Sequence, residues 1–349
     1  MNVYLNGLAT QVPENLLPQD LVENNARRIL GPKFKAFEKM APSFKSSGVE
    51  KRYSFAPIDW FNHPRDWEDR NSIYLNEGKT IFIKTARSAL KNAGLKAEEV
   101  DTIVTVSSTG IATPTLEALA FEEMGFRSDV RRIPVFGLGC AGGVTGMSIS
   151  QSLAMAHPGT NVLLVVIEAC TLSFRSDRLQ KADIIATVLF GDGAAAAVLS
   201  TRSNGSSHAT ISSGSEHLWP DTASIMGWNV DNTGLGVIFD RSIPAFANTH
   251  MADAVKNACE KAELCQKTLA RYVFHPGGTK VVEALEQTLE LQTGTLDAER
   301  ETLRDYGNMS APTALFVLEN VLSKGVTGEM LLGALGPGFT ASFVPANVS

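Results

Sequence analysis

Two stretches of this chain, Val162–Ile167 and Ala194–Leu199, are apolar at every position, and a third, Thr102–Val106, is interrupted only by threonine. A strand with one wet face alternates apolar and polar residues, so unbroken runs predict strands buried on both faces between layers of helix. Ser148–Ala156 (Ser-Ile-Ser-Gln-Ser-Leu-Ala-Met-Ala) predicts a helix between Thr102–Val106 and Val162–Ile167. Alternating strands and helices place the chain in the α/β class. At 349 residues it is long enough for two units of similar size. The polar, Gly/Ser-rich segment Thr201–Ser207 is the best boundary, giving residues 1–205 and 206–349.

The second unit looks like a distant copy of the first. Arg271-Tyr-Val-Phe-His-Pro-Gly-Gly is a strand ending in a turn, as Thr102–Gly110 is. Gly307-Asn308-Met-Ser-Ala-Pro-Thr-Ala-Leu-Phe is a Gly-led turn entering a helix, as Gly139-Cys140-Ala-Gly-Gly-Val is. The correspondence puts Cys140 and Asn308 at equivalent helix starts.

Composition narrows the function. Lys and Arg number 31 against 37 Asp and Glu, a net charge of −6, which opposes a general nucleic-acid binder. The longest apolar run is strand-length and no basic leader precedes one, so neither a membrane span nor a signal peptide is predicted, and the expected location is cytoplasmic. Four cysteines, 140, 170, 259 and 265, lack CxxC spacing, which predicts reduced thiols and no metal site. Lys33, Lys35, Lys39, Lys45, Lys51 and Arg52 crowd one short span. They form either a solvated face or a basic mouth for a phosphorylated substrate.

Cys140 is the first candidate for chemistry. It follows a strand and two glycines and precedes small residues that open a helix, where the dipole favours thiolate and glycines leave a substrate room to approach. Cys170, Cys259 and Cys265 read as buried structural thiols. His275 ends a strand at a Pro-Gly-Gly turn, on the sheet edge where α/β folds bind ligands. Asn308 opens the helix symmetric to that of Cys140, with an N-cap role as the plain alternative. Cys, His and Asn in that order also describe a papain-like hydrolase. The deep position of Cys140 in the chain, the missing Cys-Gly-Ser-Cys-Trp signature and the lack of secreted-type cysteines oppose it.

These segments resemble the chalcone/stilbene synthase family of type III polyketide synthases, within the thiolase-like superfamily. The resemblance runs through Gly139-Cys-Ala-Gly-Gly143, Glu168-Ala-Cys-Thr-Leu-Ser-Phe-Arg175, Leu189-Phe-Gly-Asp-Gly-Ala-Ala195, Phe274-His-Pro-Gly-Gly278, Tyr306-Gly-Asn-Met-Ser310 and Leu335-Gly-Pro-Gly338. It implies a thiolase-like five-layered αβαβα fold built from two similar halves and a homodimer, and the Met226-Gly-Trp228 segment looks bacterial in type. It implies Cys140, His275 and Asn308 as catalytic residues and Phe190 as gatekeeper. Ser108, Thr113, Ser173, Trp228, Val237 and Ser310 would face substrate, and Lys39, Lys45 and Gly277 would contact coenzyme A. Two further basic positions of the family fall on Pro42 and Ser46. The implied substrates are malonyl-CoA and an acyl-CoA starter, with no acyl-carrier protein, no bound cofactor and no metal.

The expected chemistry is acylation of Cys140, kept ionised by a His275 imidazolium. Decarboxylation of malonyl-CoA follows, against an oxyanion hole of His275 Nε2 and the Asn308 amide, then repeated condensation and cyclisation. A single-condensation ketosynthase is the nearest alternative. An inactive partner subunit is opposed by the intact Cys140, His275 and Asn308. Val237 stands where the family has a second gatekeeper Phe, Trp228 where it has Gly, Ser173 where it has Thr, and Thr113 where it has a dimer-crossing Met. The first two departures should open one cavity wall and close another. They favour an aliphatic starter, or malonyl-CoA itself, over an aromatic one.

Overall fold

The structure is a computed structural model and describes residues 1–177 and 180–349. The strands of the first half are β1 (Val3–Gln11), β2 (Asn15–Pro18), β3 (Lys51–Ser54), β4 (Thr102–Val106), β5 (Arg131–Val135), β6 (Asn161–Ala169) and β7 (Asp192–Ser200). Those of the second are β8 (Ala209–Ile211), β9 (Ser215–Leu218), β10 (Met226–Asp231), β11 (Gly234–Phe239), β12 (Arg271–Phe274), β13 (Gly328–Gly336) and β14 (Thr340–Val348).

The duplication is visible in the pairing. The first half-sheet runs β1-β7-β6-β4-β5 and the second β8-β14-β13-β12, so four strands of each half correspond, leaving β5 and β9, which pairs with β14, unmatched. Strand β4 is parallel to β6 as β12 is to β13, and β6 is antiparallel to β7 as β13 is to β14. A short antiparallel pairing of β1 with β8 joins the halves.

The unbroken apolar runs explain the layering. Leu163, Val165 and Ile167 of β6 enter one core, while Val162, Leu164 and Val166 enter another. In the second half Leu331 and Leu335 of β13 enter a third core, and Met330, Leu332 and Ala334 return to the second. Helix Trp67–Ala93 covers the first outer face, and helices Ile243–Lys261 and Thr279–Thr288 cover the other. Helices Gly142–Ala156 and Thr313–Ser323 lie between the two half-sheets and share the central core. Three helical layers alternating with two sheet layers make five.

Helix Gly142–Ala156 sits deep because it opens with two glycines. A Cβ on Gly143 would lie 2.2 Å from the Ala311 carbonyl, which opens the neighbouring central helix. The glycines around Cys140 therefore serve packing. The room they were expected to give a substrate is filled by Val106, Ala311 and, above Gly139, Pro337.

Hairpin β10–β11 forms a separate two-stranded sheet beside the site, as does β2–β3. Among the described residues no helix is long and apolar enough to cross a membrane, and no group of three His, Cys, Asp or Glu is placed to hold a metal.

Candidate active site

Cys140 is buried in a single helical turn, Gly139–Ala141, leading into helix Gly142–Ala156. His275 follows the last residue of β12, and its backbone N–H donates to the Gly333 carbonyl at 2.8 Å. Asn308 is not at a helix start as expected. The helix begins at Thr313, and Asn308 lies in the preceding turn, pinned by two backbone bonds. Its N–H donates to Leu189 O at 2.8 Å, and its carbonyl accepts the Gly191 N–H at 3.0 Å, making a β-bridge with Phe190. The N-cap reading fails, because the side chain is committed elsewhere. Its Oδ1 accepts the Ser310 N–H at 2.8 Å and its Nδ2 donates to the Gly277 carbonyl at 3.1 Å. This fixes the amide with its nitrogen toward the His275 turn and brings two distant motifs together.

Cys140, His275, Gly277 and Asn308 line one cavity, with Met226 and Phe239 opposite. Cys140 also lines a second cavity, with Ser108, Ser310, Phe190, Trp228 and Val237. Phe190 and Val237 form part of a third as well, where Val22, Phe61, Cys170 and Ser173 meet. Phe190 thus stands between chambers, its ring edge-on to Trp228 and Phe239 at centroid distances of 6.4 and 6.5 Å. Trp228 and Val237 are not on separate walls. They are directly paired across β10–β11, so the large residue at one position and the small one at the other modify the same wall.

Thr113 lines none of these cavities. It sits on an exposed loop near the outward-facing edge strand β5. Lys39 and Lys45 are exposed on two short helical turns. The segment after Lys45 is tied to the His275 turn by the Thr279 hydroxyl, which donates to Ser47 O at 2.6 Å. Arg52 leaves the predicted basic mouth altogether. It is 2% exposed and donates to the carbonyls of Thr187 and Phe190 at 2.8 and 2.9 Å. Burial pushes its guanidinium down to about 9. Cys265 is exposed, not buried, whereas Cys170 shares the second cavity with Cys140.

The electrostatics differ from a preformed ion pair. Burial pushes the Cys140 thiol up to about 12, against a hydrogen bond from Ser310 that lowers it, and pushes the His275 imidazole down to about 3. Neither ring nitrogen of His275 has a hydrogen-bond partner among the described residues. Moving the thiol proton to the imidazole creates both charges together, and their attraction in a low-dielectric cavity offsets the dehydration each suffers alone. His275→Gln removes that proton acceptor and leaves burial to act unopposed. Its midpoint for iodoacetamide alkylation of Cys140 should rise, with the rate at pH 7 falling at least roughly tenfold. An unchanged midpoint would leave His275 without a role in activating the thiol.

Sequence reasoning passed over Glu168 as a site residue, although it lies within a quoted motif. Its buried carboxylate accepts the Ser108 N–H at 3.0 Å and the hydroxyls of Ser108 and Thr109 at 2.7 and 2.8 Å. Burial holds it up to about 7 despite those bonds. An unpaired Glu ending an all-apolar strand was the available signal.

The chain matches known proteins along nearly its whole length. Residues 5–203 match the family described as chalcone and stilbene synthases, N-terminal domain, and residues 210–346 match the C-terminal domain. A 1,3,6,8-tetrahydroxynaphthalene synthase of Streptomyces peucetius subsp. caesius is 36% identical over 307 residues, covering 86% of this chain and 81% of its own. A putative chalcone synthase of Bacillus subtilis is 31% identical, covering 98% and 97%. The crystal structure of 1,3,6,8-tetrahydroxynaphthalene synthase from Streptomyces coelicolor A3(2), a bacterial type III polyketide synthase, superposes with a TM-score of 0.93. It is 29% identical, and the match covers 99% of both chains.

Proposed function

This chain belongs to the chalcone and stilbene synthase family and is a type III polyketide synthase, and on that premise we propose that Cys140, His275 and Asn308 carry its chemistry. The observation that supports the assignment most is their convergence on one cavity, with the Asn308 amide oriented and both His275 nitrogens uncommitted. Cys140 Sγ attacks the carbonyl of an acyl-CoA starter while its proton passes to His275. The C–S bond to coenzyme A breaks, and the departing thiolate takes the proton back. Malonyl-CoA then loses carbon dioxide, and the electron pair of the broken bond moves onto its thioester oxygen. An N–H of His275 and the Asn308 Nδ2 stabilise that enolate, each worth about 3–4 kcal/mol. The enolate carbon attacks the acyl-cysteine and frees the Cys140 thiolate, leaving a 3-oxoacyl-CoA two carbons longer. Further rounds and a cyclisation follow.

In this reading Lys39, Lys45 and Gly277 contact coenzyme A, no acyl-carrier protein is required, and no resident cofactor takes part. The starter we favour is an aliphatic acyl-CoA, because the chamber beyond Phe190 is walled by Leu17, Val22, Ala26, Ile58, Phe61 and Phe174. The enzyme acts as a homodimer. Edge strand β5 faces outward, and Ile111 and Phe136 beside it are 52% and 61% exposed. Its four unpaired cysteines suit the cytoplasm.

The test is incubation with malonyl-CoA and a panel from acetyl-CoA to palmitoyl-CoA, without carrier protein, read by product mass. Cyclised products with more than one extension support this function. A lone 3-oxoacyl product would make the enzyme a single-condensation synthase.

The hairpin pairing sharpens one further expectation. Val237→Phe adds a ring to a wall already holding Trp228, in a packed site with little freedom to move. It should shorten the product or exclude long starters while malonyl-CoA decarboxylation stays nearly intact, and Trp228→Gly should do the opposite. Identical product mass distributions in both variants and wild type would show that this hairpin face does not touch the growing chain.

A further inference from the structure

Hairpin β10–β11 carries Trp228 and Val237, yet it is not hydrogen-bonded into the main sheet. An isolated two-stranded ribbon is marginal in water, so its position depends on the packing of Leu235 and Val237 and on how its ends are held. The base is held by the Asp240 N–H, which donates to Ile225 O at 2.9 Å. The tip is held by a buried side chain from another part of the molecule. Arg175, whose side chain is 3% exposed, donates from Nη1 to Asp231 Oδ1 at 3.0 Å and from Nη2 to Thr233 Oγ1 at 2.5 Å. Its Nε and Nη2 also hold Asp177, at 2.8 and 2.6 Å. Asp231 in turn accepts the Thr233 N–H and hydroxyl, both at 2.9 Å, which closes the tip on itself.

A second contact seats the same tip. Gly234 has a φ of 132°, and a Cβ there would lie 3.1 Å from both Arg70 Cδ and Trp67 Cε3, in the first turn of helix Trp67–Ala93. Arg70 donates to the carbonyls of Leu172 and Phe174, the latter at 2.8 Å. Ser173 and Phe174 line the chamber beyond Phe190. One cluster therefore joins two walls of the starter cavity, the hairpin and the 172–175 segment.

We propose that Arg175, Asp231 and Thr233 form a latch that sets starter-length selectivity by fixing the hairpin wall against the chamber beyond Phe190. They are positioning residues. None lines the cavity with Cys140, and they act through Trp228 and Val237. The proposal rests on the acyl-CoA reading above.

The test uses the full-length protein with rim-side changes, since Arg175 is buried and its loss could unfold the chain. Asp231→Ala, Thr233→Val and Gly234→Ala are compared with wild type and with the conservative Asp231→Glu. Each is assayed for malonyl-CoA decarboxylation, and for KM and kcat across the acetyl- to palmitoyl-CoA panel. Displacing a positioning wall by an ångström or so can cost up to about 100-fold, so KM for long starters should rise about tenfold in Asp231→Ala and Gly234→Ala. Decarboxylation and acetyl-CoA turnover should remain within about twofold, with partial recovery in Asp231→Glu. Uniform KM values across chain lengths in the folded variants would overturn the latch. So would an equal fall in decarboxylation and in turnover of every starter, which marks a merely structural role. Failure of wild type to accept any starter would instead remove the acyl-CoA reading itself.

Discussion

Cys140→Ala should load no acyl group from any coenzyme A thioester and extend no chain, while malonyl-CoA decarboxylation continues at a reduced rate. The two activities separate because the geometry separates them. In the proposed mechanism Cys140 supplies the bond to the growing chain, whereas the enolate would be held by His275 and Asn308, whose own hydrogen bonds do not involve the thiol. Removing one sulfur from a site whose neighbours are fixed by backbone bonds leaves the oxyanion hole standing. Intact-protein mass after exposure to acyl-CoA reads the loading, and carbon dioxide release reads the other half. An acyl adduct on the variant would assign the nucleophile to a different residue, with Cys170 in the adjoining chamber the first to examine.

Asn308→Ala should show the opposite bias. Acylation of Cys140 persists and decarboxylation falls on the order of 100-fold or more, the usual effect of losing one oxyanion donor. The structure adds a control. The Asn308 side chain also ties Gly277 to Ser310, so part of any loss could come from loosening the His275 turn. The alkylation midpoint of Cys140 separates the two, because it depends on where His275 stands. An unchanged midpoint in Asn308→Ala assigns the fall in decarboxylation to the lost donor. A midpoint that rises as in His275→Gln would assign it to the tie.

The layered architecture was legible because the runs at 162–167 and 194–199 leave no polar face, and a strand of that kind must be covered twice. The convergence of Cys140 and His275 was legible from local grammar, a strand ending in a Gly- or Pro-led turn. What stayed hidden depends on partners distant in sequence. Arg52 sits among lysines and looks like one of them. Period-two alternation in β3 turns it inward to three carbonyls more than 130 residues away, while Lys51 stays at the surface with Asp305. The pairing of Trp228 with Val237 needed the register of a hairpin whose turn has no strong sequence signature. Asn308 looked like a helix start because Pro312 and the apolar run behind it do begin one, five residues later.

The backbone bridge between Phe190 and Asn308 also bears on time. A gate carried on a free loop opens by moving main chain, on a scale of microseconds to milliseconds, and such motions often limit turnover. Phe190 has no such freedom. Its carbonyl is held by Arg52, its N–H donates to Ala186 O at 2.8 Å, and its neighbours on both sides bond to Asn308. What remains is rotation of one ring about its own side-chain bonds, many thousands of times faster than a lid. If Phe190 is the gate proposed above, passage between chambers is paced by the chain being built, and solvent viscosity should leave the extension rate untouched.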